Sequence, residues 1–158
     1  MTLDRCARLL ASLFGCGFFP KAPGTAGSLA ALILGVGLLW LSPWLLGLGC
    51  VLAGASGVWA VRRINARADP GWVVIDEVAG QWVALLAIPL LGLPALGWRG
   101  LLAAFVLFRL FDIAKPGPVA WADRRKDAWG VMGDDIIAGA LAALVMLALG
   151  WSWPGLLG

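Results

Sequence analysis

Apolar positions in this chain come in long unbroken runs, not in the alternating faces of a water-soluble bundle. Five runs stand out, at about 26–41, 43–61, 78–96, 100–113 and 136–150. A lipid-spanning helix needs about 20 apolar residues, with a range of about 17–25. The second and third runs meet that length; the others are short unless their polar ends enter the bundle. Segments 29–40 and 141–149 have no polar face, which places them in lipid or in buried packing. The expected fold is therefore all-α: a polytopic membrane helical bundle of about five apolar helices plus an N-terminal interfacial helix. That last element is expected at 9–19, an apolar stretch preceded by Arg5 and Arg8, interrupted by glycines and followed by Pro20-Lys21. No small-residue cleavage site follows it, so it reads as a retained amphipathic segment.

The connections alternate in charge. The turn at 41–44 is uncharged, and 62–76 carries Arg62, Arg63 and Arg67. The stretch 89–98 has no charge, with Arg99 just after it. Segment 115–127 carries Lys115, Arg124, Arg125 and Lys126, and the tail after Gly150 has none. Basic residues in short loops stay cytoplasmic. The N-terminus and the two basic loops are thus expected on the cytoplasmic side, with the C-terminus outside. A single domain over 1–158 is expected, with no internal repeat.

Composition sharpens this picture. The 158 residues are 61% hydrophobic and 13% charged, against about 45–50% and about 25% in soluble domains, which excludes a single water-soluble core. A net charge of +3, scattered between apolar runs, forms no nucleic-acid-binding patch. There is no histidine, which removes Ser-His triads, histidine bases and histidine-ligated metals. Cys6, Cys16 and Cys50 match no zinc spacing and read as small apolar residues.

Four polar clusters remain, all at helix ends on the expected cytoplasmic face. The first runs from Pro20 to Ser28. Gly24 and Gly27 permit close backbone approach, Thr25 or Ser28 sits where free helix N–H groups favour an anion, and Lys21 adds positive charge. The second is Asp76-Glu77, opening the third run. The third is Arg109, Asp112, Lys115 and Pro116, with Arg109 and Asp112 three apart on one helical face. The fourth is Gly133-Asp134-Asp135, opening the last run. Helix capping explains each acidic pair singly, but not their convergence. Five of the nine acids, Asp76, Glu77, Asp112, Asp134 and Asp135, gather at one face. All-oxygen donors suit Mg²⁺, Mn²⁺ or Ca²⁺, and Lys21, Arg109 and Lys115 offer partners for phosphate. The pattern reads as metal-assisted chemistry on a phosphorylated, membrane-borne substrate. A transporter would spread charge through the bilayer depth, and a phosphatidyltransferase would carry an Asp-Gly-x-x-Ala-Arg signature; neither is seen.

At these clusters the chain resembles the phosphatidylglycerophosphatase A family. The matching stretches are Pro20-x-x-Pro-Gly-Thr-x-Gly-Ser28, Asp76-Glu-x-x-Gly80, Phe108-Arg-x-x-Asp-x-x-Lys-Pro116, Trp121-x-Asp-Arg124 and Asp134-Asp-x-x-Ala-Gly139. They follow in the family's order and cover about 15–139. The family's Gly-Gly-x-Gly turn before the paired aspartates is replaced by Asp127-Ala128-Trp129-Gly130, which bears on that loop's flexibility and not on the acids. The resemblance implies a Mg²⁺-dependent phosphatase of the bacterial inner membrane, converting phosphatidylglycerophosphate to phosphatidylglycerol and phosphate. On that reading Asp76, Glu77, Asp134 and Asp135 are catalytic and hold one or two Mg²⁺, with Asp112 a further ligand. Glu77 or Asp135 orients the attacking water, an attacking aspartate being the alternative. Lys21, Gly24, Thr25, Ser28, Arg109 and Lys115 bind the substrate phosphate. Arg124 to Lys126 face anionic lipid.

Overall fold

The computed structural model describes residues 2–65 and 70–158; Arg67, counted above among the loop cations, lies outside them. Among the described residues there are eight α-helices, one 3-10 turn at Cys16–Phe18 and no strand. The helices are α1 (Leu3–Ala11), α2 (Pro23–Leu41), α3 (Pro43–Arg63), α4 (Ile75–Leu85), α5 (Ala87–Leu90), α6 (Trp98–Ala114), α7 (Gly117–Asp123) and α8 (Ala128–Ser152).

Local chemistry sets most boundaries. Pro23 and Pro43 stand at the first turns of α2 and α3, where a missing N–H costs nothing and φ is already helical. Between them Ser42 is extended, and its Oγ accepts from the Trp44 N–H at 3.2 Å, so one residue ends α2 and caps α3. The interfacial helix lies earlier than expected, at Leu3–Ala11 and not 9–19. Leu13 and Phe14 take left-handed φ of 47° and 53°, and the chain turns there. The helix is amphipathic as expected: Ala7 and Ala11 are buried against the bundle, and Asp4 on the outer face pairs with Arg63 at 2.8 Å.

The third apolar run is not one helix. Pro89 has no N–H for the Leu85 carbonyl, and its ring crowds that carbonyl; α4 accordingly stops at Leu85 and a single further turn, α5, follows. At 1.5 Å per residue α4 is about 16 Å long and α6 about 25 Å, against a hydrocarbon core of about 30 Å. Among the described residues three helices, α2, α3 and α8, are long and apolar enough to cross a membrane. The expected count of about five apolar helices is met at spanning length by these three, with α4–α5 and α6 as shorter apolar members of the bundle.

The start of α8 also differs from expectation. Asp127 is its N-cap, its Oδ1 accepting from the Gly130 N–H at 2.8 Å. The segment that stands in for the family's glycine turn is thus the first helical turn, and Asp134-Asp135 lie nearly two turns inside α8. Capping cannot account for them.

The short helix α4 is the hub, packed against α2, α3, α6 and α8. The Trp82 indole N–H donates to the Ala31 carbonyl of α2 at 2.7 Å. Gly35 and Gly49 leave room for its ring: a Cβ at either would stand under 3.0 Å from it. On the other side α4 meets α8 backbone to backbone. A Cβ at Gly139 would collide with the Gly80 carbonyl, and one at Gly80 would lie 2.5 Å from the Asp135 carbonyl oxygen. Small residues at a crossing allow this approach, as in membrane helix pairs generally. The crossing sets the Asp76-Glu77 end of α4 beside Asp135.

Candidate active site

The first turn of α4, the C-terminal end of α6 and the second turn of α8 meet at a small cavity of 160 Å³. Its walls include Gly24, Asp76, Glu77, Asp112, Lys115, Asp134 and Asp135. Of the expected site residues this brings together all five acids, Gly24 and Lys115. Asp76, Asp134 and Asp135 are 6%, 4% and 4% exposed, so these carboxylates are not a solvated surface patch.

Within the cavity the acids divide into two kinds. Asp76, Glu77 and Asp135 each offer one carboxylate oxygen, all within 4.8 Å of one another. Two full negative charges at that separation repel by about 3.5 kcal/mol even at an effective dielectric constant of about 20. Three of them need a neutralising partner. The second Glu77 oxygen, Oε2, is buried without a hydrogen bond. Carboxylate-only donors, packed this closely, with an unused buried oxygen among them, fit a hard divalent cation such as Mg²⁺. Asp76 and Asp134 also brace the helices: each accepts through Oδ1 from the next residue's N–H, at 3.0 and 3.1 Å.

The other two acids pair with cations at hydrogen-bond distance, Asp112 while also lying against Asp135. Asp112 pairs with Arg109 at 2.7 Å, the i,i+3 contact expected from spacing. Arg109 also donates to Ser28 Oγ at 3.2 Å and stands 4.0 Å from Glu77 Oε1. One guanidinium therefore joins α2, α4 and α6 behind the cavity wall, through Glu77 and Asp112 that line it. Ser28 is fully buried and its hydroxyl donates to the Gly24 carbonyl at 2.8 Å; it orients Arg109 and faces no open space. Gly24 is required by proximity, since a Cβ there would collide with Glu77 Oε1 and lie 3.4 Å from the guanidinium.

Lys115 ends α6 in a left-handed conformation, φ 44°, which aims its side chain back toward α7 and α8. Its ammonium bonds Asp134 at 2.9 Å and, more closely, Asp123. Burial pulls its pKa down, but the two carboxylates outweigh burial and hold it above the ordinary lysine value. The bond to Lys115 in turn holds Asp123 below the usual carboxylate range. Lys21 is exposed on the bend before α2 and is not on the cavity wall; Thr25, in the first turn of α2, is half-buried and is also outside that wall.

Asp123 is an unexpected partner of the site, and Gln81 an unexpected buried amide outside the cavity wall. Asp123 had no signal beyond its place in Trp121-x-Asp-Arg124. Gln81 lies one turn beyond Glu77 on α4, fully buried, with neither amide atom hydrogen-bonded.

Comparison with known proteins agrees with the motif order. Residues 9–150 match the family model for phosphatidylglycerophosphatase A. The chain is 38% identical over 151 residues to the Escherichia coli protein named phosphatidylglycerophosphatase A, covering 92% of this chain and 84% of that one. It is 40% identical over 150 residues to the Haemophilus influenzae protein of the same name, covering 89% and 86%. It is also 39% identical over 150 residues to a Bacteroides thetaiotaomicron protein named "Putative phosphatidylinositol-3-phosphatase", covering 90% and 92%. No solved structure matches the chain significantly. With nearly its whole length matched, and the acids of the matching motifs meeting in one buried cavity, the chain belongs to the phosphatidylglycerophosphatase A family.

Proposed function

We propose that the protein removes the terminal phosphate from phosphatidylglycerophosphate, with Mg²⁺ held by Asp76, Glu77 and Asp135. The observation that carries this reading is the buried three-carboxylate cluster beside Arg109, in a chain whose relatives are named as lipid phosphatases. Mg²⁺, when bound, supplies charge neutralisation and Lewis-acid polarisation of the phosphoryl group. Arg109 orients the phosphate and opposes its charge through donors not spent on Asp112 and Ser28. Glu77, with one oxygen free of hydrogen bonds, takes a proton from the attacking water. Asp112 and Asp134 act through the cations they hold: Asp112 fixes Arg109, and Asp134 with Asp123 fixes Lys115 at the rim.

Topology belongs to the same proposal. The cavity lies at the end of the bundle that carries Lys115 and the α7 segment, and basic short loops favour the cytoplasmic side. A headgroup phosphate then reaches the acids at the interface while its chains stay in the inner leaflet of the bacterial membrane.

The test is phosphate release by purified protein in mixed micelles. Phosphatidylglycerophosphate, phosphatidic acid and phosphatidylinositol 3-phosphate are compared, with Mg²⁺ and with chelator. Mg²⁺-dependent release fastest from phosphatidylglycerophosphate is expected. Faster release from phosphatidylinositol 3-phosphate moves the substrate assignment toward the Bacteroides relative's name. Release unaffected by chelator removes the metal from the account.

A further inference from the structure

A second groove lies on the far side of α8 from the carboxylate cavity. Met132, Gly133 and Ile136 project from the helical face roughly opposite Asp134 and Asp135, and with Gly54, Val58 and Trp59 of α3 they line an apolar groove of 770 Å³. That volume is in the range of ligand pockets, about 300–1,000 Å³. Both walls are helices long enough to cross a membrane, so the groove opens where lipid chains lie.

One end of the groove is basic. Arg62 and Trp129 also line an adjoining recess of 340 Å³ that includes Asn65 and Lys126. The acids nearby are engaged: Asp127 pairs with Arg125 at 2.9 Å and Asp4 with Arg63 at 2.8 Å. Arg62 has no carboxylate partner among the described residues and lies over the Trp129 ring, 5.2 Å from its centre. Lys126 bonds only a main-chain carbonyl, that of Asp123, among the described residues. An indole at the mouth of an apolar groove, with a guanidinium on its face, matches the boundary between acyl chain and headgroup.

We propose that this composite groove binds one anionic glycerophospholipid that is not being hydrolysed, its phosphate on Arg62 and Lys126 and one acyl chain between α3 and α8. No residue is shared with the catalytic cavity. The inference rests on the membrane reading of the chain and not on its phosphatase reading.

The experiment is native mass spectrometry of the full-length protein with dioleoylphosphatidylglycerol or dioleoylphosphatidylcholine at equal concentration. One retained phosphatidylglycerol, preferred over phosphatidylcholine, is expected. Arg62→Gln/Lys126→Gln lowers its affinity by about tenfold or more. Gly54→Leu fills the groove, where a Cβ has only Ile136 Cδ1 nearby, at 3.9 Å, and lowers retention of the lipid without touching the charges. Wild-type retention by both variants, with unchanged thermal melts, overturns the site. Displacement by glycerol phosphate together with no effect of Gly54→Leu also overturns it, since only a headgroup anion is then bound. Because the readout is retained lipid mass, its failure leaves the phosphatase assay untouched.

Discussion

Gly139 lies against the Gly80 carbonyl so closely that no side chain fits between α4 and α8. The neighbouring atom is main chain and cannot swing aside, so Gly139→Ala must separate the helices or shift one along the other. Overpacking of this kind costs about 1–3 kcal/mol. The same movement carries Asp135 away from Asp76 and Glu77, so activity is expected to fall further than stability does. Comparing melts in detergent with phosphate-release rates checks this. A variant with lowered stability and full turnover would detach the crossing from the site.

Arg109 is expected to resist conservative replacement. Its Nη1 donates to Ser28 and Asp112 and stands 4.0 Å from Glu77, and the planar group holds its remaining N–H donors in a fixed fork that a lysine ammonium cannot reproduce. Arg109→Lys is expected to lower kcat/KM by about 100-fold, the scale for loss of a charge-stabilising donor. The loss should lie mainly in kcat, because the interaction strengthens as charge develops on the phosphate. Steady-state kinetics separates this from a loss confined to KM, which would make Arg109 a binding group only.

The Lys115 cluster makes a statement about pH. Lys115 is raised in the folded state, so its stabilisation is complete below its unfolded value, about 10.4, and fades as pH rises through the folded value. Asp123 is lowered, so its contribution is present above about 3.9 and fades as pH falls through its folded value. Between about pH 5 and about pH 9 the contribution is therefore flat. Lys115→Met is expected to lower the melting temperature by a constant amount across that window, with the difference from wild type shrinking below about pH 4. A difference that varies steeply between about pH 6 and about pH 8 would place another titrating group in the cluster.

Gly24 supplies a local test of the Glu77 position. Its missing Cβ leaves room for the Glu77 carboxylate, so Gly24→Ala should push Glu77 aside while leaving α2 intact, since alanine favours helix. Activity should drop at least tenfold, about the scale of a misplaced general base, with an unchanged melt. Full activity would show that Glu77 relocates without consequence.

Much of this was legible in the sequence, and the rest failed for identifiable reasons. The apolar runs gave the membrane bundle because lipid tolerates no polar face. The convergence of Asp76, Glu77, Asp112, Asp134 and Asp135 followed from alternating basic loops. The break after Leu85 was missed because an apolar run conceals it, although Pro89 signalled it. The start of α8 was missed because Asp127 reads as one more loop charge until its carboxylate is seen on the Gly130 N–H. Which acids crowd together and which bond a cation directly depends on which helix faces meet, and spacing along the chain does not carry that. Lys115 was expected to face phosphate alone; its two carboxylate partners come from the next two helices, α7 and α8, 8 and 19 residues on.

The central claim is that Asp76, Glu77 and Asp135 together hold the catalytic metal. It is tested most directly by titrating Mg²⁺ against phosphate release from phosphatidylglycerophosphate, with wild type, Asp135→Asn and Asp112→Asn side by side. Asp135→Asn is expected to need much more Mg²⁺ for half-maximal rate, or to show no rate at any concentration. Asp112→Asn is expected to slow turnover with the Mg²⁺ midpoint unchanged, because that carboxylate serves Arg109. An unchanged Mg²⁺ midpoint and full rate in Asp135→Asn would contradict the account.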